Sequence, residues 1–332
     1  MRKKFNLPLI NAHTHAAMVA FRGLGEDMPL DKWLNDCIWP MEAKNVNPEF
    51  VYNETKKAID EMRSNGIRAF MDMYFFEQEV AKAAIEENFI TVIGEGLLDI
   101  KGQEVFENDF TRTKKLLEDY KDNQNVFVSV APHSPYTVNE DNLKKAKGLA
   151  KDFNVIYQIH VSETKKEIED SLKKYGLTPV AYLNKIGVLD EKTTLVHCTW
   201  LTTEDISIIA EKGCSVVHCP LSNLKLGSGI SPVSDLIDAG INVAIGTDGA
   251  ASSNRLDIWE AGKFAALLQK GINCNPLLLP TRKIAEMMTV NGMKALGIER
   301  IGEMTIEKIK SEIKNSNFDY LYQLHANEID FM

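Results

Sequence analysis

The most informative segment for the architecture is Leu7-Pro8-Leu9-Ile10-Asn11-Ala12-His13-Thr14-His15. Its apolar part, Leu7–Ala12, predicts a buried strand. No glycine-rich phosphate loop follows this strand, which argues against an open doubly wound sheet. Two histidines follow it instead. Because side chains two residues apart in an extended chain point the same way, His13 and His15 can bind one ion together.

Short apolar runs of the same kind recur along the chain and alternate with amphipathic helical patterns, such as Pro48–Ser64. The predicted strands are Leu7–Ala12, Arg68–Met73, Ile90–Leu97, Val126–Ala131, Val155–Val161, Thr194–Cys198, Ser215–His218 and Val243–Thr247. Eight strands with intervening helices predict an α/β fold, a closed (β/α)8 barrel of the TIM type. We expect residues 1–304 to form this barrel, with residues 305–332 as a helical, polar tail packed on or beside it.

Composition and charge narrow the class of protein. The chain has 332 residues, 44% of them hydrophobic and 26% charged, which is typical of a soluble globular protein. A formal net charge of -9 argues against nucleic acid and anionic membranes as partners. Five cysteines without a disulfide-like spacing predict reduced thiols and a cytoplasmic protein. No segment is long and apolar enough for a membrane span.

Histidines collect at the predicted strand ends, which converge on one face of a barrel. Six of the seven histidines lie there: His13, His15, His133, His160, His197 and His218. Metal ligands must converge within about 2.0–2.1 Å of one ion. Together with Asp248, which follows the eighth strand, His13, His15 and His160 therefore predict a metal site.

Three imidazoles and a carboxylate suit zinc, and also iron, nickel or manganese. The end of the fourth strand, Ser129–His133, lacks a lysine that could bridge two ions once carboxylated. We therefore predict one divalent ion, with zinc as the first choice.

Two further residues at strand ends could move protons or hold water. Glu163 follows His160 by three residues and is well placed to shuttle protons, although a carboxylate stabilised by a helix N-terminus is the alternative interpretation. His197 could orient the attacking water or stabilise charge. For His218, a hydrogen-bonded supporting role and a purely structural role stay equally open.

The long connection after the first strand, Met18–Glu42, carries several large side chains, Trp33 among them. Loops at this face of a barrel commonly form the walls of an active site. We therefore expect Trp33 to contact the substrate.

The motifs at these strand ends resemble the amidohydrolase superfamily. They are His13-Thr14-His15, His160-Val161-Ser162-Glu163, Leu195-Val196-His197-Cys198 and Gly246-Thr247-Asp248-Gly249. The resemblance runs from about Leu9 to Leu296 and includes Met71–Phe75, Pro132–Tyr136 and Ser222–Gly227. It is closest to the S-adenosylhomocysteine/5'-methylthioadenosine deaminase branch, which is related to the atrazine chlorohydrolases.

This resemblance implies a function and a set of roles. The implied metal ligands are His13, His15, His160 and Asp248, and the implied catalytic residues are Glu163, His197 and Asp248. Glu42 is expected to contact a nucleoside and His133 to lie over its ribose. The implied reaction is hydrolytic deamination of an adenosine-type nucleoside to its inosine analogue and ammonia. The candidate substrates are 5'-methylthioadenosine, S-adenosylhomocysteine, 5'-deoxyadenosine and adenosine.

Two departures from the resemblance bear on the substrate and the assembly. Glu95 stands where these deaminases carry an arginine, and a second arginine has no counterpart in Asp99–Glu104, so the 5' substituent could differ. Relatives also carry a small β-sandwich, most of which this chain is expected to lack. Because its loss would expose barrel surface, we expect a homo-oligomer.

Two alternatives to the deaminase stay open. A hydrolase of the same fold could act on another bond, in a cyclic amidine or a halogenated triazine, and the metal ligands do not separate these reactions. A non-catalytic binding protein derived from the barrel is the alternative from another class. Side chains of the substrate wall, such as Glu42 and Glu95, are expected to discriminate between substrates.

Overall fold

Eight parallel strands form the centre of the computed structural model, which describes residues 3–331. They are β1 Leu9–Thr14, β2 Ile67–Asp72, β3 Ile90–Ile93, β4 Val126–Val128, β5 Tyr157–Val161, β6 Thr193–His197, β7 Ser215–His218 and β8 Asn242–Ile245. Each predicted strand is present, with bounds shifted by a few residues. Two short strands, Gly96–Leu97 and Ala131–Pro132, extend β3 and β4 and pair with each other in parallel.

The strands close into a barrel through two seams. Strands β1 to β4 form one parallel sheet in sequence order, and β5 to β8 form another. At one seam the N–H of Gln158 donates to the carbonyl oxygen of Val130 at 3.0 Å. At the other, the N–H groups of Thr247 and Asp248 donate to the carbonyl oxygen of His13 at 3.1 and 3.0 Å. The predicted α/β barrel is therefore confirmed.

Helices pack around the strands. Their bounds are Pro48–Ser64, Glu77–Glu86, Gln103–Asp119, Glu140–Phe153, Lys165–Tyr175, Pro179–Lys185, Thr203–Lys212, Pro220–Lys225, Val233–Asp238, Ala250–Ser253, Ile258–Ile272, Thr281–Met288, Val290–Leu296 and Ile306–Asn315. Local chemistry sets several ends: the side chain of Asn47 accepts from the N–H of Phe50, and Thr202 with Asp205 forms a capping box. None of the helices within residues 3–331 has the length and apolar character needed to cross a membrane.

The core requires close approach of helices to strands. The strands are rich in valine and isoleucine and are buried on both faces, as expected for a parallel barrel. At Gly292, in the helix Val290–Leu296, an added Cβ would lie 2.6 Å from the Cβ of Ile10 in β1. Glycine is therefore required where this helix crosses the strand.

The connection after β1 contains several short helices. They are a 3-10 helix at Ala16–Phe21, an α-helical turn at Leu30–Lys32, a π-helix at Trp33–Ile38 and an α-helix at Trp39–Asn45. π-Helical turns are rare and frequently lie at functional sites. This segment lies over the carboxyl end of the barrel and supplies one wall of the cleft described below.

The C-terminal segment differs from the helical tail predicted for residues 305–332. After the helix Ile306–Asn315 come two short 3-10 helices, Asp319–Tyr322 and Ala326–Glu328, and then a strand, Ile329–Phe331. This strand pairs in parallel with Lys3–Phe5. Its residues alternate between buried and exposed positions, so the long-range pairing buries an apolar face that a polar helix would not provide. A hairpin, Arg300–Ile301 with Met304–Thr305, precedes the segment.

Candidate active site

The barrel brings four candidate metal ligands together at the carboxyl ends of its strands. His13 lies in β1, His15 directly after it, His160 in β5, and Asp248 three residues beyond β8. Nε2 of His13 lies 3.0 Å from Nε2 of His160, and Nε2 of His15 lies 3.1 Å from Oδ1 of Asp248. Potential ligand atoms of the three histidines all lie within 4.8 Å of one another.

This spacing fits one metal ion. Ligands about 2.0–2.1 Å from a tetrahedral zinc ion lie roughly 3.3 Å from each other. Two buried imidazole nitrogens at 3.0 Å, with a carboxylate oxygen 3.8 Å from His13 Nε2, match that separation. The residues present therefore form a site that can hold a divalent ion.

Hydrogen bonds to the backbone orient two of the imidazole rings. Nδ1 of His160 donates to the carbonyl oxygen of His133 at 2.9 Å, and Nδ1 of His15 contacts the carbonyl oxygen of Met73. A histidine that donates through Nδ1 offers the lone pair of Nε2 as a ligand. Both rings thus present Nε2 to the common centre.

Asp248 is held by three donors. The hydroxyl groups of Ser222 and Ser252 donate to Oδ2 at 2.6 and 3.1 Å, and the N–H of Gly249 donates to Oδ1 at 2.8 Å. Burial alone would raise the pKa of Asp248, but the hydrogen bond from His15 and the nearby imidazoles hold it well below its usual value. Asp248 is therefore a carboxylate with Oδ1 turned toward the histidines.

Glu163 faces the cleft and does not cap a helix. The following helix begins at Lys165, and the side chain of Thr164 caps it. Oε2 of Glu163 lies 3.7 Å from Nε2 of His197, and Oε1 accepts from the hydroxyl of Ser228 at 3.4 Å. Burial raises the pKa of the Glu163 carboxyl, and the nearby imidazole of His197 partly offsets that effect. A raised pKa suits a carboxyl group that donates and accepts a proton near neutral pH.

Four residues at these strand ends have left-handed backbone conformations. The φ angles are 53° at Ser162, 75° at His197, 45° at Cys198 and 61° at Asp248. Positive φ is uncommon for residues other than glycine and often marks a functional site. Two of these four residues, His197 and Asp248, line the cleft, and the other two are directly next to or near a residue that does.

The cleft above the histidines contains about 700 Å³ of empty space, including open solvent at its mouth. All three residues predicted to contact substrate line it: Trp33, Glu42 and His133. Oε1 of Glu42 accepts a hydrogen bond from the hydroxyl of Tyr74 at 2.8 Å. Tyr74 and Tyr136 also line the cleft. The sequence indicated these two residues only as members of the motifs Met71–Phe75 and Pro132–Tyr136.

Glu95 lies behind the cleft wall instead of facing the substrate. It is fully buried, and its carboxylate accepts from the N–H groups of Phe76 and Glu77 at 3.3 and 3.0 Å. Nε of Arg112 donates to the same group at 2.9 Å. Glu95 therefore satisfies the N-terminus of the helix Glu77–Glu86, which Phe76 cannot cap. The expectation that Glu95 forms part of the substrate wall was wrong.

One further histidine at a strand end, His218, lies below the cleft, and two cysteines and His325 lie outside it. His218 is buried, and neither ring nitrogen has a hydrogen-bond partner among residues 3–331. Cys198 and Cys219 are fully buried, and burial raises the pKa of both thiols, as expected for small core residues. His325 is exposed in the C-terminal segment.

Two further side chains, which the sequence marked only as part of a motif, contact the site. Ser222 binds Asp248, as described above. Asn223 accepts a hydrogen bond from Nδ1 of His197 at 2.9 Å through Oδ1. Both lie in the helix Pro220–Lys225 directly after β7.

Comparisons with known proteins agree with this arrangement. The chain is 44% identical over 330 residues to a 5-methylthioadenosine/S-adenosylhomocysteine deaminase of Thermodesulfovibrio yellowstonii, covering 96% of this chain and 74% of that protein. It is 41% identical over 293 residues to a 5'-deoxyadenosine deaminase of Methanothermobacter thermautotrophicus, covering 88% and 68%. A zinc-bound adenosine deaminase from Xanthomonas campestris superposes with a TM-score of 0.87 at 38% identity, covering 90% and 69%.

The family model described as the amidohydrolase family matches residues 8–309, a span that contains every barrel strand and every residue of the cleft. The predicted resemblance is thereby confirmed. The chain belongs to the amidohydrolase family.

Proposed function

We propose that this protein is a metal-dependent deaminase that hydrolyses the 6-amino group of an adenosine-type nucleoside, giving the inosine analogue and ammonia. The observation that carries the proposal is the convergence of His13, His15, His160 and Asp248 beside Glu163 and His197 at the floor of one cleft. The activities for which the relatives are named support it, since these are deaminations of such nucleosides.

The proposed metal ligands are His13, His15, His160 and Asp248. Zinc is the proposed ion because three imidazoles and one carboxylate suit it and because the Xanthomonas relative binds it. When bound, such an ion acts as a Lewis acid and lowers the pKa of water toward about 7.

The chain's own groups then move the protons. The carboxylate of Asp248, whose Oδ1 faces the histidines, accepts a proton from the attacking water. Glu163 donates a proton to the ring nitrogen next to the attacked carbon, which relieves negative charge as water adds. Nε2 of His197, 3.7 Å from Glu163, holds the water in line. Asp248 then passes its proton to the amino group, the C–N bond breaks and ammonia leaves. The remaining hydroxyl proton returns to Glu163, which restores both carboxyl groups.

The walls of the cleft bind the rest of the nucleoside. Glu42, fixed by Tyr74, accepts hydrogen bonds from ribose hydroxyls, and His133 lies over the sugar. Trp33 adds apolar surface. With Glu95 turned away, no role in recognising the 5' substituent is proposed for it.

We also infer a homo-oligomer. Phe264, Leu267 and Ile272 are exposed on the helix Ile258–Ile272, and Leu277 is exposed just beyond it. Exposed apolar side chains grouped within one segment are a common site of association. Sedimentation of the purified protein tests the inference: a monomer at all concentrations would contradict it.

The function is tested by ammonia release from adenosine, 5'-deoxyadenosine, 5'-methylthioadenosine and S-adenosylhomocysteine. The zinc-loaded wild type is compared with Glu163→Gln and with Glu169→Gln, an exposed carboxylate of the adjacent helix, at matched metal content. We expect turnover of at least one nucleoside, a loss of roughly 10²–10⁴ in Glu163→Gln, and no change in Glu169→Gln.

The same assay discriminates the alternatives. Turnover of a cyclic amidine or a halogenated triazine, with none of any nucleoside, would favour a hydrolase of the same fold acting on another bond. Absence of both stoichiometric metal and any turnover would favour a non-catalytic binding protein.

A further inference from the structure

One short helix contacts two different groups of the candidate site. The helix Pro220–Lys225 directs the hydroxyl of Ser222 to Asp248 and the side-chain amide of Asn223 to His197. Both side chains are almost fully buried. Two adjacent residues of this helix, Ser222 and Asn223, thus hydrogen-bond to Asp248 and His197, the two groups proposed to contact the attacking water.

The amide of Asn223 is held on both of its sides. Oδ1 lies 2.9 Å from Nδ1 of His197, and Nδ2 donates to Oγ1 of Thr199 at 3.2 Å. The backbone at Asn223 is fixed as well, because its carbonyl oxygen accepts from the N–H of Ser228 at 2.8 Å. The amide oxygen is therefore positioned as an acceptor for the imidazole.

A neutral imidazole carries one N–H, on either Nδ1 or Nε2. An acceptor at 2.9 Å from Nδ1 favours the form protonated there, and this leaves a lone pair on Nε2. Nε2 is the nitrogen that faces Glu163 and the cleft. Asn223 therefore influences which hydrogen-bonding role His197 presents to the reaction.

We propose that Asn223 is a positioning residue that fixes the Nδ1–H form of His197, so that Nε2 accepts a hydrogen bond from the attacking water. This part of the inference rests on the proposed function. The Nε2–H form of His197 would instead donate a hydrogen bond to the water oxygen. That bond would engage the lone pair that the oxygen needs for attack. Oδ1 of Asn223 disfavours the Nε2–H form, because in that form the lone pair on Nδ1 of His197 would face the lone pairs of Oδ1.

Nitrogen NMR tests the proposal without relying on turnover. Zinc-loaded protein labelled with ¹⁵N-histidine is examined by two-bond ¹H–¹⁵N correlation, and the His197 signals are assigned with His197→Gln. We expect a pyrrole-like Nδ1 and a pyridine-like Nε2 in the wild type. Asn223→Leu is expected to lose that preference, whereas Asn223→Asp keeps an acceptor and is expected to retain it.

Kinetics with the best nucleoside substrate test the consequence. For Asn223→Leu we expect kcat to fall roughly tenfold to a hundredfold, as for other residues that orient an active-site histidine, with KM changed by less than about twofold. Asn223→Asp should recover most of the loss. Asn142→Leu is the matched control. Asn142 is a buried residue of the helix Glu140–Phe153, and its side-chain amide donates hydrogen bonds to Asp99 and Gln103.

Three results would overturn the proposal. One is a wild-type His197 protonated on Nε2, and another is an Asn223→Leu protein with an unchanged His197 spectrum. The third is a loss of kcat in Asn142→Leu equal to that in Asn223→Leu, which would indicate a merely structural effect. Absence of turnover in the wild type would contradict the proposed function alone, since the NMR spectra would still report the form of His197.

Discussion

Nε2 of His13 and Nε2 of His160 lie 3.0 Å apart although 147 residues separate them in the sequence. Both rings are buried, and burial lowers the pKa of both well below the usual value for histidine. Two neutral imidazoles whose lone pairs face each other at this distance repel each other unless a cation lies between them. The arrangement therefore stabilises the fold best when an ion is bound.

Removal of the metal is expected to destabilise the protein. An ion present at a thousandfold excess over its Kd contributes about 4 kcal/mol to the free energy of unfolding. Dialysis against a chelator should lower the Tm measured by circular dichroism, and added zinc should restore it. His160→Ala should lose stoichiometric metal, whereas His325→Ala, an exposed histidine outside the site, should retain it. Equal metal content in the two variants would contradict the assignment.

Glu42 is expected to control substrate binding. Hydrogen bonds to a charged group contribute about 1.5–3 kcal/mol, so Glu42→Ala should lower kcat/KM for the nucleoside roughly tenfold to a hundredfold, mainly through KM. Tyr74→Phe, which removes the donor at 2.8 Å, should have a smaller effect of the same kind. Glu49→Ala, on the exposed start of the helix Pro48–Ser64, is the control. Unchanged KM in Glu42→Ala would rule out the contact.

Glu95 is expected to affect stability and not substrate choice. Glu95→Ala leaves the N–H groups of Phe76 and Glu77 without their acceptor, at a cost on the order of 3 kcal/mol, and leaves Arg112 paired with Asp109. The midpoint of urea unfolding should fall, while KM values for the four nucleosides keep their order. Glu104→Ala, exposed on the helix that carries Arg112, should change neither quantity. A changed order of substrates with unchanged stability would instead place Glu95 in substrate recognition.

Asp109 is expected to give the stability a pH dependence. Burial raises its pKa to about 6, an effect that Arg112 partly offsets and Glu95 reinforces. The folded protein thus binds this proton more tightly than the unfolded chain, whose aspartate pKa is about 3.9. The contribution of Asp109 is fully present below pH 3.9 and is lost as the pH rises through about 6.

Urea unfolding between pH 4 and pH 7 measures this effect as the difference between the wild type and Asp109→Asn. The stability of the wild type relative to Asp109→Asn should fall across that range. Asp119→Asn, an exposed position on the same helix, should follow the wild type. A relative stability that rises with pH would show that the charged form of Asp109 is the favoured one.

Much of the barrel could be predicted because strand signals are local. Ser215–His218 matches the strand observed for β7, and the helix Pro48–Ser64 matches its predicted bounds. Both segments carry strong patterns with clear ends, such as the proline at position 48 after the capping Asn47. The motifs at the strand ends also named the residues that the cleft brings together.

The C-terminal segment and Glu95 could not be predicted in this way. The strand Ile329–Phe331 forms only because Lys3–Phe5 lies beside it, and no local pattern encodes that pairing. Glu95 follows β3, as a residue of the cleft wall would. Its carboxylate nevertheless points inward, because it accepts hydrogen bonds from the N–H groups of Phe76 and Glu77 and from the guanidinium of Arg112.

The alternation of strands and helices and the kinds of side chain at each strand end follow from the sequence alone, because both depend on residue type and spacing along the chain. Only the tertiary structure decided which nitrogen of His160 faces His13 and that Asn223 supports His197. The physical reason is that hydrogen bonds between residues distant in sequence depend on barrel closure, which sets distances that no local pattern contains.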